Sequence, residues 1–217
     1  MPKLVDVSHQ ITKGMITRPG LPEPDIQENT SAPGTAHGHG DSTGRVSMVG
    51  ATGTYVETPA HRYRDGADLA DLDLSRVADL PGVVVDVTSA SQVGPEFFDG
   101  LDVHGRAVLV RTGWDRYWRT EAYGRPGHPY LTETAAKTLV DGGATLVGTD
   151  AVGVDDTSPS VEGARPALAV LLAAGIPVVS HLCLLDRLPA RGFTFFAVPA
   201  KVRGMAAFPV RAFARVD

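Results

Sequence analysis

The sequence predicts an α/β fold built on a mixed, partly parallel sheet with additional strands. Three observations carry this reading. Continuous apolar runs of strand length occupy the middle of the chain, helical segments with clear start and stop signals lie between them, and the carboxyl end returns to short strands without a helix.

Taken in order, "LVDVS" (4–8) alternates and is rich in valine, and reads as the first strand. Residues 13–44 are crowded with Gly, Pro, Ser, Thr and His, which predicts a long irregular segment folding over a site or a partner subunit. "RVSMVGA" (45–51) suggests a strand that leads into the loop "TGTYVETPAH". "GVVVDVT" (82–88) and "RAVLVRTG" (106–113) are unbroken apolar runs, expected of strands buried on both faces. "TETAAKTLVDGG" (132–143) is a helix with Thr132 at its N-cap and Gly142 at its stop. Strand "ATLVGTD" (144–150), helix "EGARPALAVLLAAG" (162–175) and strand "IPVVS" (176–180) follow at once. Such alternation means strand-helix-strand units. The tail "GFTFFAVPAKVRGMAAFPVRAFARV" (192–216) reads as strands and turns.

No repeat or linker interrupts this pattern, so the 217 residues are read as a single domain, 1–217. A net charge of −5, spread without any basic block, argues against nucleic acid and anionic membranes as partners and leaves a small molecule as the expected one. The single cysteine, Cys183, has no internal partner for a disulfide, which fits a reducing cytoplasm. The amino terminus has no signal-peptide core, and the longest apolar run is broken by Gly175 and Pro177.

Several constellations could carry chemistry. In "GTYVETPAH" residues two apart share a face of an extended segment, so Tyr55, Glu57 and His61 can converge. A carboxylate beside an imidazole is a workable acid/base pair, and Tyr55 adds a hydroxyl to polarise an oxygen. The plainer alternative is a surface strand with a capped turn. "VGTDAVGVDDTSPS" follows a strand of the predicted parallel core, so Asp150, Asp155 and Asp156 fall either beside a cleft or in an ordinary polar turn. His37, His39 and Asp41 alternate in "AHGHGD" and could bind a metal, although the stretch is Gly-rich and reads better as a loop. In "SHLCLL", His181 and Cys183 share a face, which fits either a Cys–His nucleophile or core packing, the latter favoured because cysteine is usually buried. The motifs of common serine hydrolases and zincins are absent.

Nearly end to end, the chain resembles the cyclase-like family that includes bacterial kynurenine formamidases and isatin hydrolases. "LVDVSHQITKGMITRPG" is similar to its opening strand and substrate loop, and "TGTYVETPAH" to its signature H-x-G-T-H-x-D-x-P-x-H. "LVGTDAVGVDD" is similar to its G-x-D-x-x-S-x-D segment, and "GIPVVSHLCLLDRLP" and "AVPAKVRGMAAFPVRAF" to its closing strands. The resemblance implies a swivelling β/β/α fold and a homodimer or homotetramer sharing the site. It implies that His61 moves protons, and that Thr17 and Arg18 on the entry loop, with Asp150, Ser180 and His181, contact substrate.

The signature departs from the family where metal ligands belong: Ala51 and Tyr55 replace histidines, Glu57 replaces an aspartate, and Leu168 and Ser180 replace the family's further histidine and glutamate. A lone carboxylate holds a divalent ion poorly. The expectation is therefore no cofactor, with Zn or Mn only if replacement ligands exist. The leading functional expectation is a metal-independent enzyme that cyclises, dehydrates or isomerises a carbonyl-rich small molecule by acid/base catalysis with His61, Glu57 and Tyr55. The first alternative is a hydrolase of a cyclic amide, lactone or N-formyl group with a rearranged metal site. The second is a small-molecule-binding homologue without activity.

Overall fold

The computed structural model describes residues 2–17, 20–30 and 42–216. Its strands are β1 (Lys3–Asp6), β2 (Asp25–Thr30), β3 (Ser42–Ser47), β4 (Tyr55–Glu57), β5 (Leu80–Asp86), β6 (Gln92–Val93), β7 (Ala107–Arg111), β8 (Tyr130–Leu131), β9 (Leu146–Thr149), β10 (Val178–Ser180), β11 (Arg191–Phe196), β12 (Ala207–Pro209) and β13 (Phe213–Val216). The helices are α1 (Glu133–Asp141) and α2 (Pro166–Ala173).

Nine strands form one sheet in the order β1-β13-β11-β5-β7-β9-β10-β4-β12. Its centre, β5-β7-β9-β10, is parallel, and the strands outside it pair antiparallel. This is the mixed α/β sheet that the sequence predicts, and the continuous apolar runs explain its centre. Along β7, Val108 and Val110 join the core beneath α1 and α2, whereas Ala107 and Leu109 join the core on the other face. Leu146 against Val147 and Val178 against Val179 divide in the same way. A strand in the middle of such a sheet must be apolar on both sides.

The helices begin where their caps dictate. Thr132 accepts from Ala135 N through its hydroxyl, and Gly142 closes α1. The second helix starts at Pro166, later than the sequence suggests, because Pro159–Val161 form a separate 3-10 turn that Glu162 ends in the left-handed region. Its first free amides, Ala167 N and Leu168 N, are taken by the carboxylate of Asp155 at 2.7 and 3.0 Å. Part of the segment expected to be irregular is ordered: β2 and β3 pair as an antiparallel ribbon. Arg18, His37, His39 and Asp41 lie outside the described residues. No helix among the described residues is long and apolar enough to cross a membrane.

Candidate active site

Strand β4 is short, buried, and held on both sides. Tyr55 stands opposite Ser180 of β10 and Pro209 of β12, and Glu57 stands opposite Val178 and Ala207. Period-two alternation therefore puts Tyr55, Glu57 and Ser180 on one face of the sheet. The loop before β4 depends on Gly53, whose φ of +63° is in the left-handed region and whose N–H donates to Thr17 Oγ1 at 3.0 Å. After β4, Thr58 N is tied to Ala206 O and a Pro59–His61 3-10 turn reverses the chain. That turn brings the imidazole back over the strand.

The result is the pair that the spacing predicts. His61 Nε2 lies 3.3 Å from Glu57 Oε1, and Ser180 Oγ donates to Glu57 Oε2 at 3.4 Å. The carboxylate is sunk, with 7% of its side chain exposed, whereas His61 is 41% exposed and can meet a ligand. Tyr55, Glu57 and His61 line a small cavity of about 100 Å³, together with Arg62, Asp155 and Arg165.

A larger cavity, about 780 Å³, lies beneath the entry loop, lined among others by Thr12, Lys13, Met15, Thr17, Arg119 and Tyr123. Three rings join the two cavities through the protein: His181 makes edge contacts with Tyr55 at 5.2 Å and Tyr123 at 5.4 Å. Trp118 packs on His181 and Tyr123 and stacks flat against His9 at 3.8 Å. Tyr123 is only 3% exposed, and its hydroxyl has no hydrogen-bond partner among the described residues; the same holds for His9 Nε2. Burial, then the charge of Arg119, lowers the His9 pKa to about 4, so its ring is neutral near pH 7.

The other residues singled out from sequence are placed as follows. Asp150 sits at the carboxyl end of β9, as expected, but its oxygens are occupied: Thr112 N and Oγ1 donate to Oδ1 at 2.7 and 2.5 Å, and Gly113 N to Oδ2 at 2.8 Å. Burial pushes its carboxyl up to about 6 despite those bonds. Asp155 is the cap of α2, and Asp156 holds the Ser158 turn. His181 is 1% exposed, with Nε2 3.0 Å from Val152 O, and its own carbonyl accepts from Thr54 Oγ1. Burial raises the thiol of Cys183 to about 12, which favours packing over a Cys–His nucleophile.

Trp118, Tyr123, Arg62 and Arg165 are not singled out by the sequence reading. A signal for the first two exists: "TGWDRYWRTEAYG" follows β7 at the carboxyl edge of the parallel strands, where open α/β sheets keep their ligands.

A profile of the family described as "Putative cyclase" matches residues 5–156. The kynurenine formamidase of Salinibacter ruber (strain DSM 13855 / M31) is 32% identical over 218 residues, covering 98% of this chain and 97% of that protein. Among solved structures, isatin hydrolase A from Labrenzia aggregata bound to benzyl benzoate superposes with a TM-score of 0.83 at 26% identity, covering 99% of this chain and 94% of that one. A structure described as a predicted metal-dependent hydrolase from Bacillus stearothermophilus has a TM-score of 0.78 at 24% identity, with all of both chains covered.

The expectation of no cofactor is corrected by these likenesses, since the chain shares its family with kynurenine formamidases and its fold with a structure described as a metal-dependent hydrolase. Glu57 and His61 stand together, but the next carboxylate, Asp155, is committed to the amides of α2. Among the described residues no three His, Cys, Asp or Glu side chains form a group that could hold a metal ion. A divalent ion needs three or more donors, so the described side chains alone do not fit it.

Proposed function

Because the chain belongs to the cyclase family, we propose that it is a hydrolase that opens an amide-type bond, an N-formyl group or a cyclic amide or lactone, in a small molecule. The relatives support hydrolysis better than the cyclisation, dehydration or isomerisation expected first, and they support an enzyme over a binding homologue. The observation that carries the reading is the 3.3 Å approach of His61 to the buried carboxylate of Glu57 inside a cavity.

In this reading His61 Nε2–H donates to Glu57, which leaves Nδ1 as the base. His61 takes a proton from water as the water oxygen bonds to the carbonyl carbon, and returns it to the leaving nitrogen or oxygen as that bond breaks. The products are a carboxylic acid, which releases its proton to solvent to become the carboxylate, and an amine or alcohol. Glu57, steadied by Ser180, keeps the imidazole in one orientation and tautomer. The Tyr55 hydroxyl is assigned to the carbonyl oxygen. The substrate is assigned to the small cavity, entered from the exposed side of His61, because the buried rings of Tyr55, His181 and Tyr123 separate the pair from the larger cavity that Thr17 lines. A homodimer or homotetramer is part of the same proposal.

Purified protein tests it with formanilide, isatin and a simple aryl lactone, in buffer alone and with Zn²⁺ or Mn²⁺ added. Turnover of at least one, well above the buffer rate and abolished in His61→Asn, is the expected result. No turnover of any of them under either condition contradicts the proposal.

A further inference from the structure

Two arginines that the mechanism above does not use line the small cavity beside the Glu57–His61 pair. Arg62 follows His61 directly, and Arg165 comes from the segment that leads into α2; both line the cavity wall with Tyr55, Glu57, His61 and Leu168. Arg165 is half-buried and fixed by its own loop, since Nη1 donates to Asp156 O at 3.0 Å and to Ala164 O at 2.9 Å. Its Nη2 and Nε donors are not used by those bonds, and they form the edge with which arginine grips a carboxylate in a fork.

The carboxylates already present are engaged elsewhere. Glu57 is held by His61 and Ser180, and both oxygens of Asp155 accept amides of α2. Burial raises the Asp155 carboxyl, and the charges of Arg165 and Arg62 act against that rise. Yet among the described residues neither arginine comes within ion-pair distance of a carboxylate. Val152, Val154 and Leu168 supply an apolar wall, which strengthens a charge pair formed there. The volume, about 100 Å³, accommodates a group of a few heavy atoms, as a water takes roughly 30 Å³.

We infer that Arg62 and Arg165 form a carboxylate-binding subsite next to the catalytic pair, sized for one carboxylate group. Its assignment to the reaction rests on the hydrolase reading, because every amide, formamide or lactone hydrolysis creates a carboxylate at the carbon that the catalytic pair attacks. The same fork would also receive a carboxylate already borne by the substrate.

The test is binding without turnover. Acetate and formate are titrated into the folded protein and followed by two-dimensional NMR, with acetamide as the neutral control; circular dichroism melts confirm that Arg62→Gln and Arg165→Gln are folded. The expected result is saturable binding of both anions at millimolar concentration, none of acetamide, and a loss of at least tenfold in affinity in each variant. Absence of acetate and formate binding below about 100 mM, or equal affinity in wild type and both variants, overturns the subsite. Failure of every hydrolysis assay would leave this readout intact, so the two claims can fail separately. Where turnover is seen, formate inhibition of formanilide hydrolysis that is competitive and lost in Arg165→Gln assigns the fork to product. A KM raised in the variants for N-formylanthranilate but not for formanilide assigns it to a substrate carboxylate.

Discussion

Two buried carboxylates lie two strands apart in the same sheet, and their partners differ in kind. Asp150, at the end of β9, is held by the amides of Thr112 and Gly113 and one hydroxyl. Glu57, on β4, is held by side chains, an imidazole and the hydroxyl of Ser180. Backbone amides cannot exchange their protons with a ligand during turnover, so the first arrangement is scaffolding that stitches the loop after β7 to the loop after β9. An imidazole at one edge and a cavity beside it make the second arrangement chemically usable. Burial of a carboxylate is common to both; the identity of its partners separates them.

The contrast can be broken most directly at His61. His61→Asn keeps a polar side chain over β4 but removes the base, and a fall of 10²- to 10⁴-fold in kcat is expected, with a melting temperature within about 3 °C of wild type. Unchanged kcat would return Glu57 to the same structural class as Asp150. On the other side, Asp150→Asn places an amide NH₂ or a single oxygen where three donors converge. It should cost about 2–3 kcal/mol of stability in denaturant melts while kcat per folded molecule stays within about threefold. A large kcat loss with normal stability would move Asp150 into the active site.

His9 sharpens the comparison from the side of pH. Its folded pKa of about 4, lowered by burial and by Arg119, is below the ordinary 6.5, so the unfolded chain binds the extra proton between these values. Its contribution to stability is therefore full above pH 6.5 and is lost as pH falls through 6.5 to 4. Asp150 has the opposite sign: raised from 3.8 to about 6, its carboxyl costs stability as pH rises through that window. In His9→Phe the first effect is gone. The variant should gain on wild type by up to about 3 kcal/mol as pH drops from 6.5 to 4, measured by denaturant melts at several pH values. A constant gap would show that His9 does not titrate in that window. The smallest effect is at a helix end, where Thr132→Ala removes the cap of α1 and should cost about 1 kcal/mol without touching kcat.

Much of this arrangement is legible in the sequence. The apolar runs of β5, β7 and β9 identify the parallel centre, Thr132 and Gly142 bracket α1, and the spacing of Tyr55, Glu57 and His61 places them on one face because the strand period is two. Less legible is what each acidic residue does. In "VGTDAVGVDDTSPS" the Asp150 and Asp155 carboxylates read equally as ligands and as turn residues, since an aspartate looks the same whether it faces a substrate or the amides of a distant loop. The β2–β3 ribbon is hidden by Asp25, Glu28 and Asn29 on one strand and Gly44 on the other, residue types that weaken the strand signal. The aromatic group of His9, Trp118, Tyr123 and His181 joins three loops far apart in the chain, and no local pattern announces such a meeting. Arg165 belongs with Glu57 only because α2 begins at Pro166 and its leading segment passes over β4's cavity.

The claim that Glu57 and His61 act as one unit is tested most directly by a double-mutant cycle. kcat/KM is measured for wild type, Glu57→Gln, His61→Asn and the double variant, on whichever of formanilide or isatin the wild type hydrolyses faster. A unit predicts strong non-additivity, with the double variant no more than about threefold below His61→Asn alone. Losses that multiply, or a Glu57→Gln enzyme with wild-type activity, would contradict it.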